Sequence, residues 1–530
     1  MTQGKDWWRG AVTYQIYPRS FQDSDGDGIG DLRGVMGRLE HVALLGVDAI
    51  WLSPFFTSPM KDMGYDVADY RGVDQLFGTM ADFESLLARA HELGLRVIID
   101  QVLSHSSDQH AFFKQSRSSR ENDKADWYVW ADANPDGSPP NNWLSHFGGP
   151  AWTWDSRRKQ FYLHNFLSSQ PDFNFHNPAV QDWHIENLRF WLDKGVDGFR
   201  LDTVNYYFHD QLLRSNPALP PGMAEFDTIP YFFQDHIYQK TQPENLAFIE
   251  RLRSLTDTYS DRAIVGEISA GHRAHQVMGD YTRGNQRLHM AYSFDMLGPR
   301  FSSKHFRDTI EAFFAAAQDG WPAWAFSNHD TPRHISRWAE HGPPEALARL
   351  SAALLLSLEG SIYIYQGEEL GQIESELQLD ELRDPSGIAF WPDYKGRDGC
   401  RTPMVWDDSS NGGFTSGTPW LPVKPPQLER HVAGQAGPDS ILAFYRRMIG
   451  LRSTTPALRS GRTRFWDAGP DLLCFDRGGT VSCLFNLSER AVDLQFPALR
   501  SKLLLLAEGV STTSSGYALA PLGFALFQTD

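Results

Sequence analysis

Eight short apolar runs, most followed by a stretch with helical spacing, recur between residues 11 and 365. They are Ala11–Tyr17, Asp48–Ser53, Arg96–Val102, Gly198–Leu201, Ala263–Gly266, Met290–Phe294, Ala323–Ser327 and Ser361–Tyr365. The helix expected after the second run is the clearest. Thr79 and Asp82 have capping-box spacing, Phe83, Leu86, Leu87, Ala90 and Leu93 recur on one helical face, and Gly94 ends it. Strands alternating with helices form a parallel sheet, and eight such units predict an α/β fold closed into a (β/α)8 (TIM) barrel.

Three acidic residues stand at the carboxyl ends of three of these runs. Asp202 closes Gly195-Val-Asp-Gly-Phe-Arg-Leu-Asp202, Glu267 closes Ala263-Ile-Val-Gly-Glu267, and Asp330 follows Trp324-Ala-Phe-Ser-Asn-His329. The gaps of 65 and 63 residues are about two strand–helix units each. Carboxylates so placed converge on the face where such barrels do chemistry. Two carboxylates and a spare are the equipment for breaking a glycosidic bond.

Composition narrows the partners. A net charge of −17 disfavours a phosphate backbone or an anionic membrane. The 17 tryptophans exceed what a core alone demands, and such rings stack on sugar faces as readily as they fill cores. Residues 1–10 hold no apolar signal core, and no uninterrupted run of about 18 apolar residues occurs, so the chain reads as soluble and cytoplasmic. Cys400, Cys474 and Cys483 do not make a secreted disulfide framework. If Gly478-Gly479 is a two-residue hairpin turn, Cys474 and Cys483 lie opposite each other, as reduced thiols or as a cross-strand disulfide.

The gap between the third and fourth runs is the longest. It is rich in Asn, Asp, Pro, Gly and Trp, and predicts a subdomain over residues 106–175, inserted into a barrel domain of 1–105 and 176–455. A second irregular excursion spans about 366–430. From 456 to 530, short alternating strands such as Leu472-Leu-Cys-Phe475 predict a C-terminal antiparallel β-sandwich.

Four short motifs in order, Asp100-Gln-Val-Leu-Ser-His105, Gly198-Phe-Arg-Leu-Asp202, Gly266-Glu267 and Phe326-Ser-Asn-His-Asp330, make the chain resemble the α-amylase superfamily (glycoside hydrolase family 13), in its α-glucosidase and oligo-1,6-glucosidase branch. The resemblance implies that Asp202 is the nucleophile, Glu267 the acid/base and Asp330 the third, transition-state-binding carboxylate. Arg200, two residues before Asp202, would keep that carboxylate charged. His105 and His329 resemble hydroxyl-binding histidines, and Tyr65 a ring under the sugar. Asp62 and Arg401 resemble a pair that clasps the terminal glucose and closes the pocket, which implies exo-action on short oligosaccharides. Phe147 and Phe166 are candidates for its walls or for subdomain core.

The loop Asp23-Ser-Asp-Gly-Asp-Gly-Ile-Gly-Asp31 has carboxylates at alternate positions and a turn glycine, as in an EF-hand, but Gly34 stands where the bidentate Glu belongs. The resemblance implies a structural divalent ion held by Asp23, Asp25, Asp27, the Ile29 carbonyl and Asp31, with calcium ahead of magnesium; a metal-free turn is the alternative. It implies no catalytic metal and no organic cofactor.

Thr203, next to the nucleophile, implies α-1,4 over α-1,6 preference by the same likeness, with maltose as a representative substrate. Gln170-Pro-Asp-Phe-Asn-Phe175 resembles a further branch motif, with Phe173 in place of the commoner leucine. The expected activity is a retaining exo-α-glucosidase with transglucosylation. The alternatives are an oligo-1,6-glucosidase, a sucrose hydrolase, a disaccharide isomerase of trehalose synthase type, or a non-catalytic binding or transporter-associated homologue. Monomer and homodimer stay open.

Overall fold

The computed structural model describes residues 6–223, 228–494, 502–513 and 516–528. At its centre is an eight-stranded parallel sheet of Val12–Ile16, Ala49–Leu52, Arg96–Gln101, Gly198–Leu201, Ala263–Ile268, Met290–Ser293, Ala323–Ala325 and Ser361–Tyr365. Every strand coincides with an expected run to within two residues at either end. The sixth and seventh strands are the last to meet, and a parallel bridge between Ala291 and Pro322 joins them, closing the barrel.

Strand alternation sorts the side chains. Trp51, Ile98, Val265, Met290, Tyr292 and Tyr363 point inward and form one buried cluster, with Trp7 and Trp8 in the same cluster. Their neighbours Ile50, Ile99, Phe199 and Ile264 point outward into the larger core shared with the helices. Burying each such side chain contributes about 1.5–3 kcal/mol, so both layers hold the ring closed. The helix Met80–Glu92 has the expected capping box, with Thr79 Oγ1 accepting from Asp82 N and Asp82 Oδ2 from Thr79 N. It buries Phe83, Leu86, Leu87 and Ala90, and Gly94 follows at φ +78°.

The long excursion after the third strand carries a three-stranded antiparallel sheet of Trp130–Ala131, Trp152–Asp155 and Gln160–Leu163. Trp143 stacks on Trp152 at 5.8 Å in its small core. Bridges from His105 to Asp172 and from Tyr128 to Phe173 pinch the excursion where it leaves and rejoins the barrel. It is thereby held over the carboxyl ends of the strands.

Beyond helix Ile441–Thr454 lies the C-terminal β domain, whose six described strands are antiparallel and hydrogen-bond as one sheet. One face packs toward the barrel helices, with Phe524 edge-on to Phe444 at 5.8 Å. The hairpin of Leu472–Arg477 and Val481–Asn486 corrects the reading of its turn. Arg477 pairs with Val481, so the loop is Gly478-Gly479-Thr480, and Cys474 faces Leu484 rather than Cys483. The extra residue slips the register by one, which sends the two thiols to opposite faces of the sheet. All three cysteines are free and buried. Among the described residues, no helix is long and apolar enough to cross a membrane.

Opposite faces cannot be bridged by a disulfide. Thiol titration of the denatured, unreduced protein should therefore return three thiols per chain; a count of one would overturn the register.

Candidate active site

Asp202, Glu267 and Asp330 open onto one cavity of about 480 Å³ at the carboxyl ends of the strands. Asp62, Tyr65, His105, Phe147, Phe166 and Thr203 also line it, as does Arg397, which the sequence reading did not single out. Arg200, His329 and Arg401 do not. Each is 0 % exposed and stands behind the wall, so they act on the lining carboxylates and not directly on a sugar.

Arg200 organises the floor. Its Nη1 donates to Asp202 Oδ1 at 2.7 Å and to the two Asp100 oxygens at 2.9 and 3.1 Å. Its Nη2 contacts Glu267 Oε2. Asp202 and Glu267 are thus held across one guanidinium. The register explains the placement, because Asp100 lies beside Arg200 on the neighbouring strand and Tyr292 beside Glu267. Burial drives the Asp202 carboxyl up to about 7, with Arg200 pulling it down and Asp100 and Asp330 adding to the rise. Without Arg200, a carboxylate so deeply buried would not stay ionised at neutral pH.

Asp330 is the opposite case. Burial raises its pKa, but the Arg397 and Arg401 guanidiniums, with the His329 N–H turned toward it, win and hold it well below the usual carboxylate range. Arg397 Nη1 and Arg401 Nη2 reach its Oδ1 at 3.2 and 3.1 Å. His329 is kept neutral by burial. Its Nδ1 lies 2.7 Å from the Gln15 amide nitrogen, a donor, so Nε2 bears the proton and points to Tyr65 Oη and Asp330 Oδ2. Tyr65 stacks on this imidazole at 5.3 Å and donates its own proton to Asp100 Oδ2. Both nitrogens of His105 are also taken, by Ser104 Oγ at 2.8 Å and the Tyr65 carbonyl at 3.0 Å. The two histidines hold lining groups in place.

The expected Asp62–Arg401 clasp is corrected. Asp62 Oδ1 accepts from Arg397 Nη2 at 2.8 Å, and Arg401 instead donates to Asp330 and to the His329 carbonyl. Arg397 and Arg401 are four residues apart around the short helix Asp398–Arg401, and packing turns the first to the cavity and the second into the protein. Arg397 also binds Asp384 Oδ1 at 2.7 Å and lies 5.2 Å from the ring of Phe147. Gln170 is a further part of the clasp. Its Nε2 donates to Asp62 Oδ2 at 3.0 Å, which is what the Gln170-Pro-Asp motif does here. Phe166 lies against His105, ring centres 5.1 Å apart.

Thr203 adopts a left-handed backbone at φ 40°, ψ 48°, unusual for a β-branched residue. The turn is what swings the chain away after Asp202. Its Oγ1 lies 3.1 Å from Ser104 Oγ and 3.3 Å from Asp202 Oδ2. Strain of this kind persists only where the surrounding packing over-determines it.

Away from the cavity, one carboxylate oxygen each from Asp23, Asp25 and Asp27 gather within 4.8 Å of one another. Burial and the charges of Asp25, Asp23 and Asp31 push Asp27 upward, against the Ile29 N–H. Asp31 stands apart from this group. It caps helix Leu32–Leu45 through Gly34 N and takes Ser24 N and Oγ. Three converging hard oxygens fit a hard divalent cation.

Residues 15–461 match the family of α-amylase catalytic domains. The chain is 55% identical over 506 residues to a probable α-glucosidase of Rhizobium meliloti (strain 1021), spanning 94% of this chain and 92% of that one. An oligo-1,6-glucosidase of Heyndrickxia coagulans is 37% identical over 541 residues, spanning 94% and 95%. Among solved structures, the α-glucosyl transfer enzyme XgtA superposes with a TM-score of 0.95 at 50% identity over 99% of both chains. The trehalulose synthase MutB from Pseudomonas mesoacidophila MX-45 does so at 0.89 and 34% identity, over 99% of this chain and 100% of that one. The chain belongs to the α-amylase family of glycoside hydrolases.

A double-mutant cycle checks the reassigned clasp. Arg397→Leu with Asp62→Asn should show a coupling of about 1–3 kcal/mol in unfolding free energy, because Arg397→Leu strips the buried Asp62 of the guanidinium it accepts from, a penalty that Asp62→Asn removes. Arg401→Leu with Asp62→Asn should show less; the reverse order would restore the original pairing.

Proposed function

We propose that the protein is a retaining, exo-acting α-glucosidase that removes α-glucose from the non-reducing end of short α-glucosides. The observation that supports this most is the joining of Asp202 and Glu267 across Arg200 in a cavity walled by Asp62 and Arg397. Asp202 attacks the anomeric carbon as Glu267 gives its proton to the glycosidic oxygen. The C–O bond breaks with its electron pair on that oxygen, leaving a glucosyl ester on Asp202. Glu267 then takes a proton from water or from a sugar hydroxyl, which attacks the same carbon and frees Asp202. Two inversions give retention. Asp330, held ionised, favours the cationic transition state.

The Asp62–Arg397 pair, backed by Asp384, offers hydrogen bonds to the last glucose and blocks further chain behind it, which supports exo-action. Thr203 lines the cavity beside Asp202 and supports α-1,4 preference, with maltose representative. Transfer to a sugar shares the same covalent step, and likeness over the whole chain to XgtA and MutB favours it as a second outcome. We further propose that Asp23, Asp25 and Asp27, with the Ile29 carbonyl, hold a structural calcium ion, magnesium being the alternative. The three reduced, buried thiols support a cytoplasmic setting.

Product analysis by NMR on maltose, isomaltose, sucrose, trehalose and soluble starch tests the activity. Initial release of α-glucose, fastest from maltose and negligible from starch, is expected. Fastest cleavage of isomaltose would overturn the α-1,4 assignment, and conversion of one disaccharide into another would make the protein an isomerase. For the cation, chelation followed by melting should lower Tm, with re-addition of calcium restoring it. An unchanged Tm, with the metal shown absent before and after, points to a plain turn.

A further inference from the structure

Tyr292 is not among the groups that the mechanism above uses, yet its hydroxyl lies between the two that matter most. It stands on the sixth strand directly beside Glu267 of the fifth, 4 % exposed. Its oxygen receives Arg200 Nε–H at 3.1 Å and Nη2–H at 2.9 Å. A phenolic oxygen has two lone pairs and one proton. With both lone pairs occupied, the hydroxyl can only donate, and the acceptor is Glu267 Oε2 at 2.8 Å. Burial holds the phenol well above its ordinary range, so it keeps that proton at working pH. Oε2 also meets Arg200 Nη2, whereas Oε1 has no hydrogen-bond partner among the described residues of a side chain that lines the cavity.

We propose that Tyr292 is a positioning residue for the acid/base, fixing Oε2 of Glu267 as an acceptor so that the proton it delivers sits on Oε1. The inference rests on Glu267 being the acid/base. A carboxylic proton on Oε2 would face two donors, Tyr292 O–H and Arg200 Nη2–H, and find no acceptor. On Oε1 it faces the substrate. The same geometry stabilises the carboxylate form, because a hydrogen bond donated to the charged state favours it. Tyr292 thereby lowers the proton affinity of Glu267 and readies it for the second half-reaction, in which it acts as a base. The ring is also held by packing in the barrel interior, so Tyr292→Phe keeps the shape while removing the donor to Glu267 and, with it, the acceptor of Arg200 Nε–H and Nη2–H.

The test compares pH profiles of kcat/KM on maltose and on 4-nitrophenyl α-glucoside, whose leaving group needs little acid assistance. Three proteins are used: the unaltered enzyme, Tyr292→Phe and Glu267→Gln. In Tyr292→Phe the alkaline limb should rise by about one pH unit, the size expected for one lost hydrogen bond to a charge. At the pH optimum, kcat on maltose should fall at least about fivefold more than kcat on the aryl glucoside, with KM little changed. An unmoved alkaline limb, with equal losses on both substrates, overturns the proposal. Tyr292→3-fluorotyrosine supplies the opposite sign and removes any doubt about folding. Its more acidic hydroxyl is a stronger donor and should move the limb down; no movement there also overturns it. Glu267→Gln separates the two readings, since maltose turnover at the unaltered rate would overturn the acid/base assignment itself.

Discussion

One guanidinium with three carboxylates around it is the interaction on which this site depends. Arg200 lies fully buried inside the barrel and touches Asp100, Asp202 and Glu267. An isolated carboxylate at that depth would take up a proton sooner than stay charged, and a guanidinium without its partners would be costlier still. The cluster exists because strand register brings its members together from three neighbouring strands. Its net effect is asymmetric. Asp202 is left poised near neutrality, while Asp330, with two arginines and a histidine against it, is held firmly ionised.

A second cation, Arg397, does for the far wall what Arg200 does for the floor. It joins Asp62 from the loop after the second strand to Asp330 from the end of the seventh and to Asp384 from the second excursion. The pocket wall is thus assembled from parts of the chain more than 300 residues apart. Gln170, brought back by the first excursion, completes it at Asp62. The excursions are therefore working parts of the site and not decoration on the barrel.

Much of this was legible in the sequence. The eight barrel strands could be read because each is a short, wholly buried apolar run bounded by turn residues, and the helix Met80–Glu92 because its cap and stripe agree. Asp202, Glu267 and Asp330 could be read because a carboxylate that closes such a run has no place in a core. Two readings went astray for one reason. Arg397 and Arg401 differ by one helical turn, and Cys483 and Leu484 by one residue in a hairpin. In both cases the local sequence allows either neighbour to take the position: a one-residue slip in a hairpin reverses which face a side chain takes, and residues one helical turn apart start from the same face. Asp31, which the resemblance implies as a further ligand, is also the cap of the helix that follows it, a role open to any aspartate at that place.

By itself, the sequence determined the architecture and the chemistry on offer. Hydrophobic periodicity is a local property, and it commits the chain to alternating strands and helices before any distant contact forms. It also determined which residues could act, since their types and spacing are written in the chain. What only the tertiary structure decided is which of those groups meet. Tyr292 is unremarkable in the sequence and becomes a hydrogen-bond donor to Glu267 only through the pairing of two strands. Arg397 becomes the clasp only when loops from distant parts of the chain close around it. Burial and pairing set charge states, and both are properties of packed neighbours rather than of residues in order.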